Sequence, residues 1–300
     1  MGVAIEVNGL TMRYGELVAV DDVSFEVRSG EFFGLLGPNG AGKTTTLEAV
    51  EGLRKPMGGS VAVDGIEPWT RRPDLLRRMG VQLQASSFFE RLTVREQLDT
   101  FRQLYGVDAS RVEAMLEHVG LTEKADVRTE DLSGGQKQRL SIACALIHDP
   151  EVVFLDEPTA ALDPQARRNL WDLLRGLNDS GRTVVLTTHY MDEAEVLCDR
   201  VGIIDHGRIL ELDTPQALIR SLGAPIQISL DHDSLEYDQV DQIPAADHVG
   251  RDDGALTITT VQPSRVLTWL AERDALEGLS VKGATLEDVF LDRTGREYRA

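Results

Sequence analysis

Three hundred residues, 42 % apolar and 27 % charged, suffice for one large soluble domain or for one of ~200 residues with a smaller companion. A net charge of −19 at pH 7 disfavours a nucleic-acid backbone or an anionic lipid surface as the main partner. No apolar run approaches the ~18 residues of a membrane span, "MGVAIEVNGL" lacks the basic and apolar regions of a secretory signal, and Glu6 stands where myristoylation wants Ser or Thr.

In chain order, "AIEVNGLTMRYG" and "VDDVSFEVRSGE" alternate apolar and polar residues at period two, which predicts antiparallel strands on a flank. "FFGLLG" (32–37) is a short apolar run feeding a glycine-rich turn and reads as a buried strand. Residues 85–145 change character: "TVREQLDTFRQLYG" and "SRVEAMLEHVG" place apolar residues at helical spacing, so a mostly helical insertion is expected. It closes on "LSGGQKQRLSIACAL" (132–146), where Ser133, Gly134 and Gly135 open a helix whose bare N–H groups can face an anion. "EVVFLDEP" (151–158) is a second buried strand, ending in Asp156 and Glu157. The amphipathic "QARRNLWDLLRGLNDSG" (165–181) precedes a third, "TVVLTTH" (183–189), which ends at His189. Continuous apolar strands alternating with helices form a parallel sheet covered on both faces, an α/β architecture.

Beyond about residue 220, "APIQISLD", "ALTITTV", "SRVLTWLAERDAL" and "LSVKGATLEDVFLDRTGR" read as a small α+β unit. The expected division is therefore 1–220 and 221–300. Residues 221–250 carry six Asp or Glu and no Lys or Arg, the composition of a solvated acidic face. Cys144 and Cys198 both fall in helix-like segments and read as buried thiols of a reducing compartment, which makes a cytosolic chain the expectation.

Gly37-Pro38-Asn39-Gly40-Ala41-Gly42-Lys43-Thr44 fits G-x-x-x-x-G-K-[ST] between a strand and a helix. In that context the glycines let backbone N–H groups turn toward phosphates, Lys43 reaches the β/γ oxygens, and the Thr44 hydroxyl can ligate Mg²⁺. Asp156, at the end of an apolar strand, is placed to hold Mg²⁺ through water, and Glu157 to orient or deprotonate an attacking water.

With these pieces the sequence resembles the nucleotide-binding subunit of an ATP-binding cassette (ABC) transporter over about residues 4–220. The resemblance implies a P-loop NTPase (RecA-like) core with ATP and Mg²⁺ as cofactors. It puts Tyr14 on adenine, Thr45 beside the nucleotide and Gln84 ("VQLQASS") at the Q-loop, touching Mg²⁺ or water. It makes Ser133, Gly134, Gly135 and Gln136 the family signature, facing the ATP held by the other subunit of a head-to-tail dimer. Asp163 falls in the D-loop, preceded by Ala160-Ala161 where relatives often carry Ser or Gly, and His189 is the switch histidine at the γ-phosphate. The implied partners are a second copy or homologous subunit, and a separate transmembrane permease whose cytoplasmic helix sits between the sheet core and residues 85–145. The implied location is peripheral, on the cytoplasmic face of the cell membrane.

"FFERLTVREQL", "LDEPTAALDPQARR" and "TLEDVFLDRTGR" look most like the daunorubicin-resistance and multidrug export type, so export of drugs or other hydrophobic compounds is the expected task. An importer ATPase is one alternative. A soluble relative working on ribosomes or DNA is another, but such proteins carry two cassettes or a long coiled-coil insertion, and this chain has one phosphate loop and no heptad run. The tail from 221 is expected to brace a dimer or regulate, since "TLEDVF" reads as a short amphipathic helix able to pack on a neighbouring surface.

Overall fold

The computed structural model describes residues 2–83, 88–160, 162–231, 235, 237–252 and 255–295. It divides after Pro215 into two compact units.

The first unit opens with two long strands, β1 (Val3–Tyr14) and β2 (Leu17–Arg28), followed by β3 (Phe32–Leu36), α1 (Lys43–Val50), β4 (Gly58–Val63), α2 (Pro73–Leu76) and β5 (Met79–Gln82). Three helices come next, α3 (Val94–Tyr105), α4 (Ser110–His118) and α5 (Gly134–Leu146). Then β6 (Val152–Asp156), α6 (Pro164–Asp179), β7 (Thr183–Thr188), α7 (Met191–Leu197), β8 (Arg200–Asp205) and β9 (Arg208–Asp213) complete it. The strands make two sheets, an antiparallel one in the order β2-β1-β4 and a six-stranded one in the order β5-β6-β7-β3-β8-β9. The latter is parallel except for the edge strand β9, which returns antiparallel along β8.

Every residue of β3, β6 and β7 is buried, as continuous apolar runs require of strands covered on both faces. Phe25 of β2 stacks on Phe33 of β3 with ring centroids 5.1 Å apart, which ties the antiparallel flank to the parallel core. The sequence reading expected β1, β2, β3, β6 and β7 but did not single out β4, β5 or the β8–β9 hairpin. β5 is four residues long, too short for periodicity to register. Between β5 and β6 the described residues contain helices and no strand. Helix α3 starts at a reciprocal cap in which Thr93 Oγ1 accepts from Glu96 N and Glu96 Oε2 accepts from Thr93 N. Its Val94 and Leu98 are buried.

Gly34, in the middle of β3, marks a close approach. An added Cβ would lie 2.6 Å from Cys198 Sγ. Gly34→Ala is expected to cost about 1–3 kcal/mol through overpacking, read as a lower melting temperature. Adding Cys198→Ala should restore part of the loss, because the two positions are in contact. Additive losses in the double variant would contradict this packing account.

The division falls at the start of α8 (Pro215–Ser221), and the second unit goes on with β10 (Ile226–Asp231), α9 (Tyr237–Val240), β11 (His248–Asp252), β12 (Ala255–Thr260), α10 (Pro263–Ala271), β13 (Ser280–Lys282) and α11 (Leu286–Thr294). Its antiparallel sheet runs β11-β12-β10-β13, and the alternating Ile228, Leu230, Leu256 and Ile258 face Val266 and Leu270 of α10 in one small core. Helix α11 is the segment read as a helix able to brace a neighbour. Its Leu286, Val289 and Phe290 are already buried in this chain, so its apolar face is not free for that purpose.

Candidate active site

Three adjacent strand ends create the site. Leu36 of β3 pairs with Thr188 of β7, and Asp156 of β6 pairs with Thr187 of the same strand. The residues after each strand therefore emerge side by side, where open parallel sheets bind ligands. The loop after β3 is a glycine cradle. A Cβ on Gly37 would sit 2.2 Å from the Ile204 carbonyl oxygen, and Gly42 holds φ 105° with the Ala19 carbonyl oxygen 2.5 Å from where its Cβ would be. Only glycine fits either place.

Lys43, 4 % exposed, begins α1 and turns its ammonium back over the loop. Nζ donates to the Gly37 carbonyl at 2.9 Å and to Pro38 at 3.2 Å, and pairs with Glu157 Oε1 at 3.1 Å. The other oxygen of that carboxylate meets His189 Nδ1 at 3.2 Å. Glu157 thus joins the loop after β3 to the ends of β6 and β7. It does so in a left-handed backbone conformation, φ 46°, which costs a non-glycine residue free energy and is found where function over-determines the backbone. Its N–H donates to both the carbonyl and the hydroxyl of Thr187, each at 3.1 Å.

Asp156 Oδ1 accepts from Thr44 Oγ1 at 3.2 Å and from Thr187 Oγ1. Burial pushes its carboxyl above the usual range, and the two hydroxyls offset part of that rise. A hydroxyl and a carboxylate are the hard oxygen donors a magnesium ion takes, and a dication there would relieve the cost of burying the charge. Among the described residues no group of three or more His, Cys, Asp or Glu could hold a metal. A cation here would complete its shell from nucleotide oxygens and water.

A cavity of about 460 Å³ opens over the loop, lined by Tyr14, Asn39, Gly40, Lys43, Thr45 and Glu157 among others. Tyr14 is 40 % exposed, with the Arg54 guanidinium 5.0 Å from its ring centroid, so one aromatic neighbour of the cavity is held in place by a cation. Two features escaped the sequence reading. One is the β8–β9 turn: His206 and Gly207 line the cavity, Gly207 N donates to the Ala41 carbonyl at 2.8 Å, and Asp21 N donates to the Gly207 carbonyl at 2.8 Å. The other is Thr187, which fixes Asp156 and Glu157 together. Its signal was available, since a hydroxyl inside the apolar run "VVLTT" must find a partner once buried.

Other expected site residues lie elsewhere. Ser133 caps α5, accepting from Gln136 N at 3.3 Å, while Gln136 Oε1 accepts from Ser133 N at 3.0 Å. Neither they nor Gly134 and Gly135 line the cavity. Asp163 caps α6 by accepting from Gln165 N and Ala166 N at 3.0 and 2.9 Å. Gln84, expected at the Q-loop, and Ala161, beside the D-loop, fall outside the described residues. Cys144 and Cys198 are free and buried. Among the described residues no helix is long and apolar enough to cross a membrane.

Comparison with known proteins agrees with this geometry. Residues 20–160 match the ABC transporter family. The chain is 41 % identical, over 98 % of its length and 88 % of the relative's, to the Nod factor export ATP-binding protein I of Mesorhizobium japonicum. It is 42 % identical to the protein of the same name in Paraburkholderia xenovorans, over 99 % of this chain and 98 % of that one. Among solved structures, an ATP-binding subunit of an ABC transporter superposes with TM-score 0.67 at 29 % identity, covering 73 % of this chain and 93 % of that one. A dimeric ATP-binding cassette in a post-hydrolysis state, bound to ADP and Pi, superposes with TM-score 0.64 at 28 % identity, covering 70 % of this chain and 98 % of that one. Lys43, Asp156, Glu157 and His189 gathered over a glycine cradle, in a chain matched almost end to end by such relatives, show that it belongs to the ABC transporter family as an ATP-binding, ATP-hydrolysing subunit.

Proposed function

We propose that this chain powers export of a drug-like or otherwise hydrophobic compound, working as a head-to-tail dimer on a separate transmembrane permease. The observation that carries the ATPase half is the Lys43–Glu157–His189 chain of contacts across three strand ends. The cradle N–H groups and Lys43 hold the β- and γ-phosphates. Phosphate oxygens compete with Glu157 for the same ammonium, and the carboxylate so released is free to accept the proton of an attacking water. His189 then faces the γ-phosphate from the end of β7. Thr44 and Asp156 would hold a magnesium ion, whose chemistry there would be to neutralise charge on the phosphate oxygens.

The second phosphate-facing loop, Ser133 to Gln136, has no place in the chain's own cavity. A cap at the positive end of α5 that is not used in its own subunit suits the nucleotide of a second one. The relatives' own description as export proteins supports the outward direction, and the membrane-spanning path then belongs to the partner. Residues 216–300 form the accessory unit, and we assign it a regulatory role, since the apolar face of α11 is already buried in this chain.

The test is a mild-detergent purification of the tagged chain from membranes of its native host. A multi-span membrane protein recovered in near-equal amount is the expected result. Recovery of ribosomal or DNA-associated proteins alone would leave the ATPase chemistry standing and overturn the transport reading.

A further inference from the structure

His189 follows the last residue of β7. A ring N–H that meets a phosphate oxygen must be right in angle as well as in place. One edge of the imidazole is held, with Nδ1 3.2 Å from Glu157 Oε2. That contact alone anchors the ring poorly, because Glu157 is the group that changes charge when it takes a proton from water. The imidazole needs a second hold that does not depend on the carboxylate.

Tyr190 supplies it. The chain bends at His189, and the ring of the next residue lies against the imidazole, with centroids 4.1 Å apart and planes inclined by 39°. Tyr190 N donates to Thr188 Oγ1 at 2.9 Å, so a hydrogen bond spans His189 and fixes the bend. The Tyr190 ring is covered in turn. The Arg167 guanidinium lies over it, 4.0 Å from its centroid, and a planar guanidinium stacks on a ring as an ammonium does not. Arg167 Nη1 also stands 3.8 Å from Asp192 Oδ2. A partly exposed pair of that length contributes little, so the ring is the contact that orients the guanidinium.

Arg167 is itself well placed. It lies one turn into α6, where its N–H donates to the carbonyl of the capping Asp163 at 2.9 Å. One turn further on, Trp171 Nε1 donates to Glu193 Oε1 of α7 at 3.1 Å, and Glu193 is fully buried. Helix α6 thus grips the first turn of α7 at two successive levels. Tyr190, the residue before α7, sits inside that grip.

We propose that Arg167 and Tyr190 are positioning residues for hydrolysis, a stack that holds the His189 imidazole at the angle at which it meets the γ-phosphate. This rests on the place given to His189 above and adds the side chains that keep it there. Both residues act through the imidazole. Their loss should therefore slow the chemical step and leave ATP binding to the glycine cradle and Lys43.

ATP hydrolysis by the full-length chain is measured for the wild type, Tyr190→Leu, Tyr190→Phe, Arg167→Leu and Arg167→Lys, well below each melting temperature. Tyr190→Leu should lower kcat by about 10- to 100-fold, the scale of a reacting group slightly misplaced, with KM for ATP unchanged. Tyr190→Phe keeps the ring and should recover most of that loss. Arg167→Leu should lower kcat several-fold, and Arg167→Lys, which keeps the charge without the flat group, should not restore it. His189→Ala is the reference. Combined with Tyr190→Leu it should be no slower than alone, because the stack has no other route to the reaction. Unchanged kcat in both leucine variants, or a change confined to KM, overturns the proposal. So does a double variant slower than His189→Ala by the full Tyr190→Leu factor. Should Tyr190→Leu fail to fold, Arg167→Leu, alone and combined with His189→Ala, decides by the same criteria. Near-normal turnover in His189→Ala would overturn the place given to His189 itself, and the stack with it.

Discussion

Glu157→Gln is expected to lower ATP turnover by about 10²–10⁴-fold, the usual contribution of a positioned general base, while ATP binding stays intact or tightens. The sign of the binding effect follows from the contact with Lys43. The wild-type carboxylate holds the ammonium at 3.1 Å, in competition with phosphate, and the neutral amide holds it less firmly. The backbone of residue 157 is fixed by Thr187 through its own N–H, so the left-handed turn survives the substitution. The amide still reaches His189. What is lost is the ability to take a proton from water. Equilibrium binding of ATP, single-turnover hydrolysis and gel filtration separate these effects. The variant should trap nucleotide and accumulate as an ATP-bound dimer. Near-normal hydrolysis would show that Glu157 is not the base, whatever its position.

The same residues show how far the sequence could be read and where it stopped. Strands β3, β6 and β7 were legible because burial on both faces demands unbroken apolar runs, and few other structures produce them. The phosphate loop was legible because its glycines are sterically obligatory. At Gly37 the neighbouring Ile204 carbonyl leaves no room for a side chain. Glu157 was legible as a base candidate from its place after a strand. Its left-handed backbone and its double grip by Lys43 and His189 were not, since both depend on strands that meet only through sheet order. Thr187 was missed for the opposite reason: the run "TVVLTT" was read by its apolar content, while its work is done by a hydroxyl. The β8–β9 turn was missed because a histidine–glycine pair between short strands looks like any hairpin. It matters here because Gly207 is wedged against Ala19 and bonded to Ala41 of the phosphate loop. Glu51 sits unmarked inside "LEAVEGL", and only the fold shows that its carboxylate is buried.

Ser133→Arg is expected to disable hydrolysis at the neighbouring subunit's nucleotide while leaving nucleotide binding by its own subunit unchanged. Ser133 and Gly134 are exposed, and an added Cβ at Gly134 would meet nothing within 4 Å, so a bulky side chain at the start of α5 has open space around it. The fold loses one helix cap, worth about 1 kcal/mol. The reaction loses more: removing a preorganised donor to transition-state charge costs about 10²–10³-fold, and here an arginine also stands in the way of closure.

The decisive measurement uses mixed dimers. One preparation pairs a Ser133→Arg chain with a Lys43→Ala chain, and the other pairs a chain carrying both changes with a wild-type chain. If the signature serves the partner's nucleotide, the first preparation concentrates both lesions in one composite site and keeps the other working. The second then has one lesion in each site and is inactive. If the signature instead serves its own chain's nucleotide, the order inverts, because the doubly changed chain spoils one site and its wild-type partner keeps the other. Activity in the first preparation and its loss in the second would therefore assign the two phosphate-facing loops to two different subunits. The inverse result would return both loops to one chain. The cavity's failure to include Ser133 would then have to be explained by movement of the helices between β5 and β6.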